Sequence, residues 1–135
     1  MNTEPRVGLG TNRLTNTPEH VTFVREAVAA GLRHIDTAHL YTGGESEATI
    51  GAASPDGALV ATKGGYRPGE GNPKVLNAQI EESLRRLRTD SIDLYYLHRV
   101  DPETPLELSL ATIAEHHEKG TIQHVGLSEV SIVQI

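Results

Sequence analysis

The sequence predicts an α/β fold in which parallel strands alternate with helices. Apolar runs that suit short buried strands recur along the chain, and stretches with helical periodicity separate them. Three of these stretches begin with proline directly after a capping residue, and glycine follows the end of two of them. This alternation is typical of parallel strands joined by right-handed crossovers.

Five apolar runs of four to seven residues predict the strands. They cover residues 7–10, 34–37, 58–62, 91–97 and 122–127. Their starts lie about 29 residues apart on average, close to the repeat of a (β/α)8 barrel. An open, doubly wound sheet has the same local pattern, so the alternation alone does not decide between the two folds.

The first two predicted helices follow the first two strands. Thr17 caps the first helix, Pro18 is its first residue and Gly31 ends it. Its apolar residues recur at helical spacing, namely Phe23, Val24, Ala27 and Val28. Residues 46–53 predict a second, shorter helix.

The third and fourth helices carry stronger start signals. Asn72 caps the third helix, which begins at Pro73 and presents an apolar stripe of Leu76, Ile80, Leu84 and Leu87. Thr104 and Glu107 predict a capping box around Pro105. The fourth helix then ends before Gly120 and has a predicted buried face of Leu106, Leu110, Ile113 and Ala114.

No helix start signal follows the fifth strand. Residues 131–135 (SIVQI) show neither a helix cap nor a polar tail in the sequence. The strand–helix pattern therefore stops without a closing helix, and we expect the chain to be truncated here.

Composition excludes several classes of protein. Apolar residues make up 37% of the 135 and charged residues 22%, which argues against a disordered chain. The net charge of −6 disfavours nucleic acid as a partner, because phosphate binding needs clustered basic charge. The one basic cluster, Arg85, Arg86 and Arg88, lies beside Glu81 and Glu82 and predicts a solvated helix face.

No apolar stretch approaches the roughly 20 residues that a membrane-spanning helix needs, so no membrane partner is expected. Cysteine is absent, which excludes disulfides and thiolate chemistry and suits a cytoplasmic protein. The histidines do not form a metal-ligand pattern: His116 and His117 are adjacent on a predicted helix, and His34 and His39 lie on either side of a strand end. We predict no metal site.

Four residues with useful chemistry lie at or just beyond predicted strand ends. Asp36 ends the second strand and Tyr41 follows five residues later, while Lys63 and His98 end the third and fourth strands. Neighbouring parallel strands are about 4.8 Å apart and end at one edge of the sheet. The four side chains could therefore converge. An ammonium beside a phenol stabilises phenolate, which makes the phenol a usable general acid near neutral pH.

Seven motifs follow one another along almost the whole chain. They are GLGT (8–11), HIDTAHLY (34–41), GESE (44–47), ATKGG (61–65), SLRRL (83–87), DLYYLH (93–98) and GLS (126–128). Together they resemble the N-terminal half of an aldo-keto reductase. The resemblance implies a (β/α)8 barrel, of which this chain would hold four βα units and a fifth strand. Residues 1–135 would then be the N-terminal part of one barrel domain without an internal boundary.

The resemblance also implies reduction of an aldehyde or ketone by hydride transfer from NADPH. The family's catalytic residue types match Asp36, Tyr41, Lys63 and His98. Tyr41 would donate a proton to the carbonyl oxygen. Lys63, held by Asp36, would assist Tyr41, and His98 would orient the carbonyl.

Cofactor contacts carried over from the family would be made by Gly10, Thr11, Asp36, Ser128 and Glu129. Glu129 is a departure, because many relatives have asparagine there. A carboxylate can accept a hydrogen bond from the nicotinamide carboxamide but cannot donate one unless protonated. Asn12 is a second departure, since some relatives place an aromatic of the substrate pocket there. The aromatic wall is therefore either missing or lies elsewhere in the chain.

Other interpretations stay open at this point. The glycines near residue 8 begin a dinucleotide-binding fingerprint, but its third glycine is absent and the helix cap comes later. The chain could also be an inactive fragment, or a half-barrel subunit that associates through its open barrel edges. A redox-sensing channel subunit on the same fold is an alternative that no feature of the sequence favours.

Overall fold

A computed structural model describes residues 7–135. The strands are β1 (Leu9–Gly10), β2 (His34–Asp36), β3 (Leu59–Gly64), β4 (Ile92–Leu97) and β5 (Ile122–Leu127). The helices are α1 (Pro18–Ala29), α2 (Glu45–Ala53), α3 (Pro73–Leu87) and α4 (Leu106–Glu118). Two short 3₁₀ turns cover Tyr41–Gly44 and Ile132–Gln134. The predicted alternation of strands and helices is confirmed.

The strands form one parallel sheet in the order β1-β2-β3-β4-β5. Its register aligns the carboxyl ends of the three central strands. Asp36 on β2 is opposite Ala61 on β3, and Lys63 is opposite Tyr96 on β4. The chain continues this alignment beyond β4, where the His98 amide donates to the Gly64 carbonyl at 2.7 Å. One edge of the sheet therefore carries the ends of all three strands.

The hydrophobic core lies between the sheet and the helices. It contains Val24, Ile35, Ile50, Ala53, Leu76, Ile80, Leu87, Ile92, Tyr95, Leu97, Ile113 and Ile122. Every α-helix contributes at least one of these residues, so burial of apolar surface is the main force that holds the helices on the sheet. The apolar stripe predicted for α3 is confirmed in Leu76, Ile80 and Leu87.

The buried faces of α1 and α4 differ from the predicted ones. Phe23 is 47% exposed on α1, where Val24 is the buried residue. On α4, Ala114 is exposed, while Ser109, Thr112, Ile113 and His116 are buried. Polar side chains are tolerated there because their hydrogen bonds are made. For example, the Ser109 hydroxyl donates to the Gly71 carbonyl at 2.7 Å.

Two of the three predicted helix caps are confirmed. Thr17 Oγ1 accepts from the His20 amide at 3.2 Å, and Asn72 Oδ1 accepts from the Val75 amide at 3.1 Å. The capping box at Thr104 is wrong, because α4 begins at Leu106 with no side-chain cap. The Thr104 hydroxyl donates instead to an Asp101 carboxylate oxygen at 2.8 Å.

The segment after β5 is also capped, contrary to prediction. Ser131 begins the short turn Ile132–Gln134, and the Gln134 side chain accepts from the Ser131 amide at 2.9 Å. The cap was missed because its partner is a glutamine three residues away in an otherwise apolar segment.

Gly51 provides a test of how α2 packs on the end of α3. A Cβ at this position would lie 2.1 Å from the Arg86 carbonyl oxygen. Alanine in place of glycine usually favours a helix by about 0.5–1 kcal/mol, whereas overpacking costs about 1–3 kcal/mol. We expect overpacking to dominate, so that Gly51→Ala lowers the free energy of unfolding by about 1–2 kcal/mol in urea denaturation.

The control for this variant is Gly10→Ala, because a Cβ there would meet no atom within 4 Å. This control should change the free energy of unfolding by less than about 0.5 kcal/mol. A Gly51→Ala midpoint equal to that of the unsubstituted chain would contradict the packing argument.

Candidate active site

The structure brings the four predicted catalytic residues to the carboxyl edge of the sheet. Asp36 is the last residue of β2 and Lys63 the penultimate residue of β3. His98 directly follows β4, and Tyr41 begins the 3₁₀ turn after β2. Side chains from three strand ends and one loop therefore face one another, as the spacing predicts.

Lys63 lies at the centre of this group, and its side chain is 10% exposed. Its Nζ atom donates to Asp36 Oδ2 at 2.7 Å, to the Thr37 carbonyl at 2.8 Å and to Tyr41 Oη at 3.4 Å. An ammonium has three protons, and here three acceptors surround it. The side chain is therefore fixed in position, with its charge next to the phenol oxygen.

The turn that carries Tyr41 has an unusual backbone. Thr42 has φ 48° and Gly43 has φ 65°, both in the left-handed region, and Gly44 follows with φ 99°. A threonine in this region is uncommon and is kept there by surrounding contacts. Thr42 Oγ1 donates to the Leu14 carbonyl at 2.5 Å, which ties the turn to the β1–α1 loop.

His98 is 7% exposed and lies beside the Tyr41 ring, with ring centroids 6.0 Å apart in an edge-to-face arrangement. Burial lowers the pKa of His98, and the Lys63 cation lowers it further. The imidazole is therefore neutral at neutral pH. A neutral ring keeps one N–H donor, and the Nδ1 atom has no hydrogen-bond partner among the described residues.

An open cleft of about 410 Å³ adjoins these residues. It is lined by Asn12, Leu40, Tyr41, Thr42, Tyr66, His98 and Glu129. Tyr66 places an aromatic ring in the lining of this cleft, with its centroid 4.8 Å from that of His98. Arg99 covers the Tyr66 ring at 4.1 Å from the centroid. The sequence signal for Tyr66 was its place just beyond Lys63 and two glycines.

The predicted cofactor residues differ in how accessible they are. Gly10 is exposed at the end of β1, whereas Thr11 is 1% exposed. Thr11 Oγ1 donates to the Asp36 carbonyl at 2.8 Å and accepts from Ser46 Oγ at 2.7 Å. Its side chain is therefore occupied within the protein. The half-buried Ser128 donates its amide to the Leu97 carbonyl at 3.1 Å.

Glu129 forms an ion pair with Arg99, for which the sequence motifs predict no role. Glu129 is exposed and has φ 53°, so it lies at a strained position beside the cleft. The Arg99 guanidinium lowers the pKa of Glu129, and the carboxylate raises the pKa of Arg99. The Glu129 carboxylate is thus ionised and directed towards Arg99.

Within residues 7–135, no three histidine, aspartate or glutamate side chains are grouped so that they could hold a metal ion. In the same part of the chain, no helix has the length and apolar character that crossing a membrane requires.

Comparison with known proteins places the chain in a family. The model of the aldo/keto reductase family matches residues 6–135. The aldo-keto reductase str7 of Strobilurus tenacellus is 42% identical over 112 residues, which cover 78% of this chain and 33% of that protein.

Solved structures agree with this match. The glycerol dehydrogenase AKR11B4 of Gluconobacter oxydans superposes with a TM-score of 0.85 at 34% identity, over 99% of this chain and 48% of that one. An aldo/keto reductase of Klebsiella pneumoniae, solved with NADP and acetate, has a TM-score of 0.84 at 29% identity, over 96% and 47%. The chain spans about half the length of these (β/α)8 barrels. It belongs to the aldo/keto reductase family and forms an N-terminal portion of the family's barrel.

Proposed function

We propose that the protein is an NADPH-dependent oxidoreductase that reduces an aldehyde or ketone to the alcohol. The observation that carries this proposal is the position of the Lys63 ammonium, 3.4 Å from the Tyr41 phenol oxygen and 2.7 Å from an Asp36 carboxylate oxygen. A phenol beside a buried cation is a suitable proton donor to an oxygen that gains negative charge during a reaction.

Each residue then has a defined task. Tyr41 donates its proton to the carbonyl oxygen, and Lys63 stabilises the phenolate that is left. Asp36 fixes Lys63 in position. The neutral His98 donates a hydrogen bond that orients the carbonyl. The proton on the product oxygen comes from Tyr41, which regains one from solvent before the next turnover.

The residues present fit the nicotinamide end of a cofactor. The cleft lies directly beside the Tyr41 phenol, and the exposed Glu129 at its edge can accept a hydrogen bond from a carboxamide. When bound, NADPH supplies the hydride. We propose contacts to it from Gly10, Thr11, Asp36, Ser128 and Glu129, and the relative solved with NADP supports this choice of cofactor. Any contact from Thr11 would have to come from its main chain.

The test is an assay of the complete protein with NADPH and a nitrobenzaldehyde. We expect aldehyde-dependent loss of NADPH absorbance, and slower loss with NADH. A reaction without aldehyde is the control for background oxidation. If the protein binds NADPH but oxidises it with none of a panel of aldehydes and ketones, the proposed reaction is wrong.

The second candidate function is a half-barrel subunit or an inactive fragment. The two outer strands of the sheet favour this candidate. Among the described strands, β1 and β5 each pair with one neighbour, and Val125 on β5 is 42% exposed. We propose that residues 1–135 are part of a single domain and that the protein is cytoplasmic. We also propose that residues 1–135 alone self-associate through the unpaired sides of β1 and β5. Sedimentation velocity in the presence and absence of NADPH distinguishes the candidates. A compact monomer that binds NADPH would contradict this second candidate.

A further inference from the structure

Arg86 is not the solvated residue that the basic cluster predicts. Its side chain is 19% exposed, and its guanidinium donates to the His39 carbonyl at 2.9 Å, to Glu47 Oε2 at 3.3 Å and to Glu82 Oε1 at 2.7 Å. The neighbouring Arg85 is exposed on the same helix. The two arginines of this pair therefore have different environments. Arg86 connects α3 with α2 and, together with Glu82, which contacts His39 Nε2 at 2.9 Å, connects α3 with the loop after β2.

The partner carboxylate of Glu47 is fully buried, with 0% of its side chain exposed. Its second oxygen accepts from Thr62 Oγ1 at 2.6 Å. Removing two charges from water is costly, and apolar residues of similar volume often replace such pairs with no loss of stability. A contribution to stability is therefore a weak explanation for this ion pair. A better explanation is that the ion pair holds the segments around it in one fixed arrangement.

The contacts of Arg86 lie on both sides of Tyr41. The accepting carbonyl belongs to His39, two residues before Tyr41. Three residues after it, a Cβ on Gly44 would lie 2.4 Å from Arg86 Cζ, so the guanidinium packs directly on the Gly44 backbone. Gly44 has φ 99°, which suits glycine and ends the turn. One guanidinium thus holds the beginning and the end of the segment that carries the phenol.

The same network reaches the strand that carries Lys63. The His39 amide donates to the Lys63 carbonyl at 2.9 Å. Thr62, which binds Glu47, is the residue directly before Lys63. The Tyr41 turn and the Lys63 strand are therefore both anchored to Arg86 and Glu47, behind the candidate active site.

We propose that Arg86 is a positioning residue that fixes the Tyr41 turn relative to Lys63. This inference rests on the proposed function, in which Tyr41 is the proton donor. The interaction between the ammonium and the phenol oxygen depends on their 3.4 Å separation. A misplacement of about 1 Å caused by a remote substitution can cost about 100-fold in rate. Arg86 acts through Tyr41, because its hydrogen bonds go to the His39 carbonyl, Glu47 and Glu82, none of which lines the cleft.

The kinetic test compares Arg86→Lys with the matched control Arg85→Lys. Lysine keeps the charge but cannot reach the His39 carbonyl, Glu47 and Glu82 together, because it lacks the planar fork. We expect kcat to fall by about 10- to 100-fold in Arg86→Lys, with KM for NADPH changed by less than about twofold. The high-pH limb of the kcat/KM profile should also move to higher pH. Arg85→Lys should match the unsubstituted protein in all three measurements.

A second measurement does not need turnover. The tyrosines are labelled with ¹³C at Cζ, and the Tyr41 resonance, assigned by its loss in Tyr41→Phe, is followed as a function of pH by NMR. The groups whose charges enter this titration are Lys63 and His98, with Asp36 behind Lys63 and Glu129 across the cleft. We expect the Tyr41 titration to move to higher pH in Arg86→Lys, while the other tyrosine resonances stay in place.

Glu82→Gln is the second variant if Arg86→Lys does not fold, because Glu82 is 36% exposed. Its change weakens the contacts of Glu82 to Arg86 and to His39 and leaves the buried Glu47 pair intact. It should shift the Tyr41 titration in the same direction by a smaller amount. A Tyr41 titration identical to that of the unsubstituted protein in the folded variants would overturn the assignment. If the unsubstituted protein reduces no carbonyl, the proposed function fails, and the NMR titration still decides the role of Arg86.

Discussion

Tyr41→Phe is expected to lower kcat for carbonyl reduction by about 10²- to 10⁴-fold, which is the usual value of a positioned proton donor. The substitution removes one hydroxyl, and the remaining ring can keep its edge-to-face contact with His98. The Lys63 ammonium keeps its two stronger acceptors, Asp36 at 2.7 Å and the Thr37 carbonyl at 2.8 Å. The loss should therefore reflect proton donation rather than collapse of the site.

The measurement is steady-state kinetics together with NADPH titration by fluorescence. The dissociation constant for NADPH should change by less than about threefold, because the hydroxyl matters in the transition state more than in cofactor binding. Tyr66→Phe is the matched control, since this ring also lines the cleft but its hydroxyl has no proposed part in proton transfer. Unchanged turnover in Tyr41→Phe would remove Tyr41 from its role as the acid.

The fold was predictable from the sequence because its signals are local. Thr17 and Asn72 cap helices that begin at the following prolines, and such caps need only neighbouring residues. Thr104 shows the limit of this reasoning. It has the same local pattern, but the Asp101 carboxylate, which also accepts from the amides of Gly69 and Gly71, takes its hydroxyl. The arrangement of that loop is a tertiary feature, and no local pattern predicts it.

The candidate site was predictable to the same extent. Asp36, Lys63 and His98 converge because parallel strands end at one edge, which follows from topology alone. The supporting contacts do not follow from topology. Arg86 binds Glu47, which is 39 residues away in the sequence, and Arg99 binds Glu129, which is 30 residues away. In the sequence both arginines resemble ordinary surface cations, because their partners are distant and become neighbours only when the chain folds.

Lys63→Met is the substitution with the second-largest expected effect. It removes the cation next to the phenol oxygen and keeps an unbranched side chain of similar length. We expect kcat to fall by about 10²- to 10³-fold, the usual cost of losing one preorganised electrostatic contact to developing charge. Asp36 has 37% of its side chain exposed, so water can solvate the carboxylate that loses its partner. The protein should therefore still fold.

The pH profile of kcat/KM separates this electrostatic effect from a loss of packing. A nearby cation favours the charged phenolate over the neutral phenol, so its removal lets the phenol keep its proton to higher pH. The high-pH limb should accordingly move to higher pH in Lys63→Met. Asp36→Asn should move it less, because it loosens Lys63 but keeps the ammonium beside the Thr37 carbonyl and the Tyr41 hydroxyl. If Lys63→Met lowers kcat but its pH profile of kcat/KM overlays that of the unsubstituted protein, Lys63 acts by packing. The proposed electrostatic effect of Lys63 on the Tyr41 phenol is then wrong.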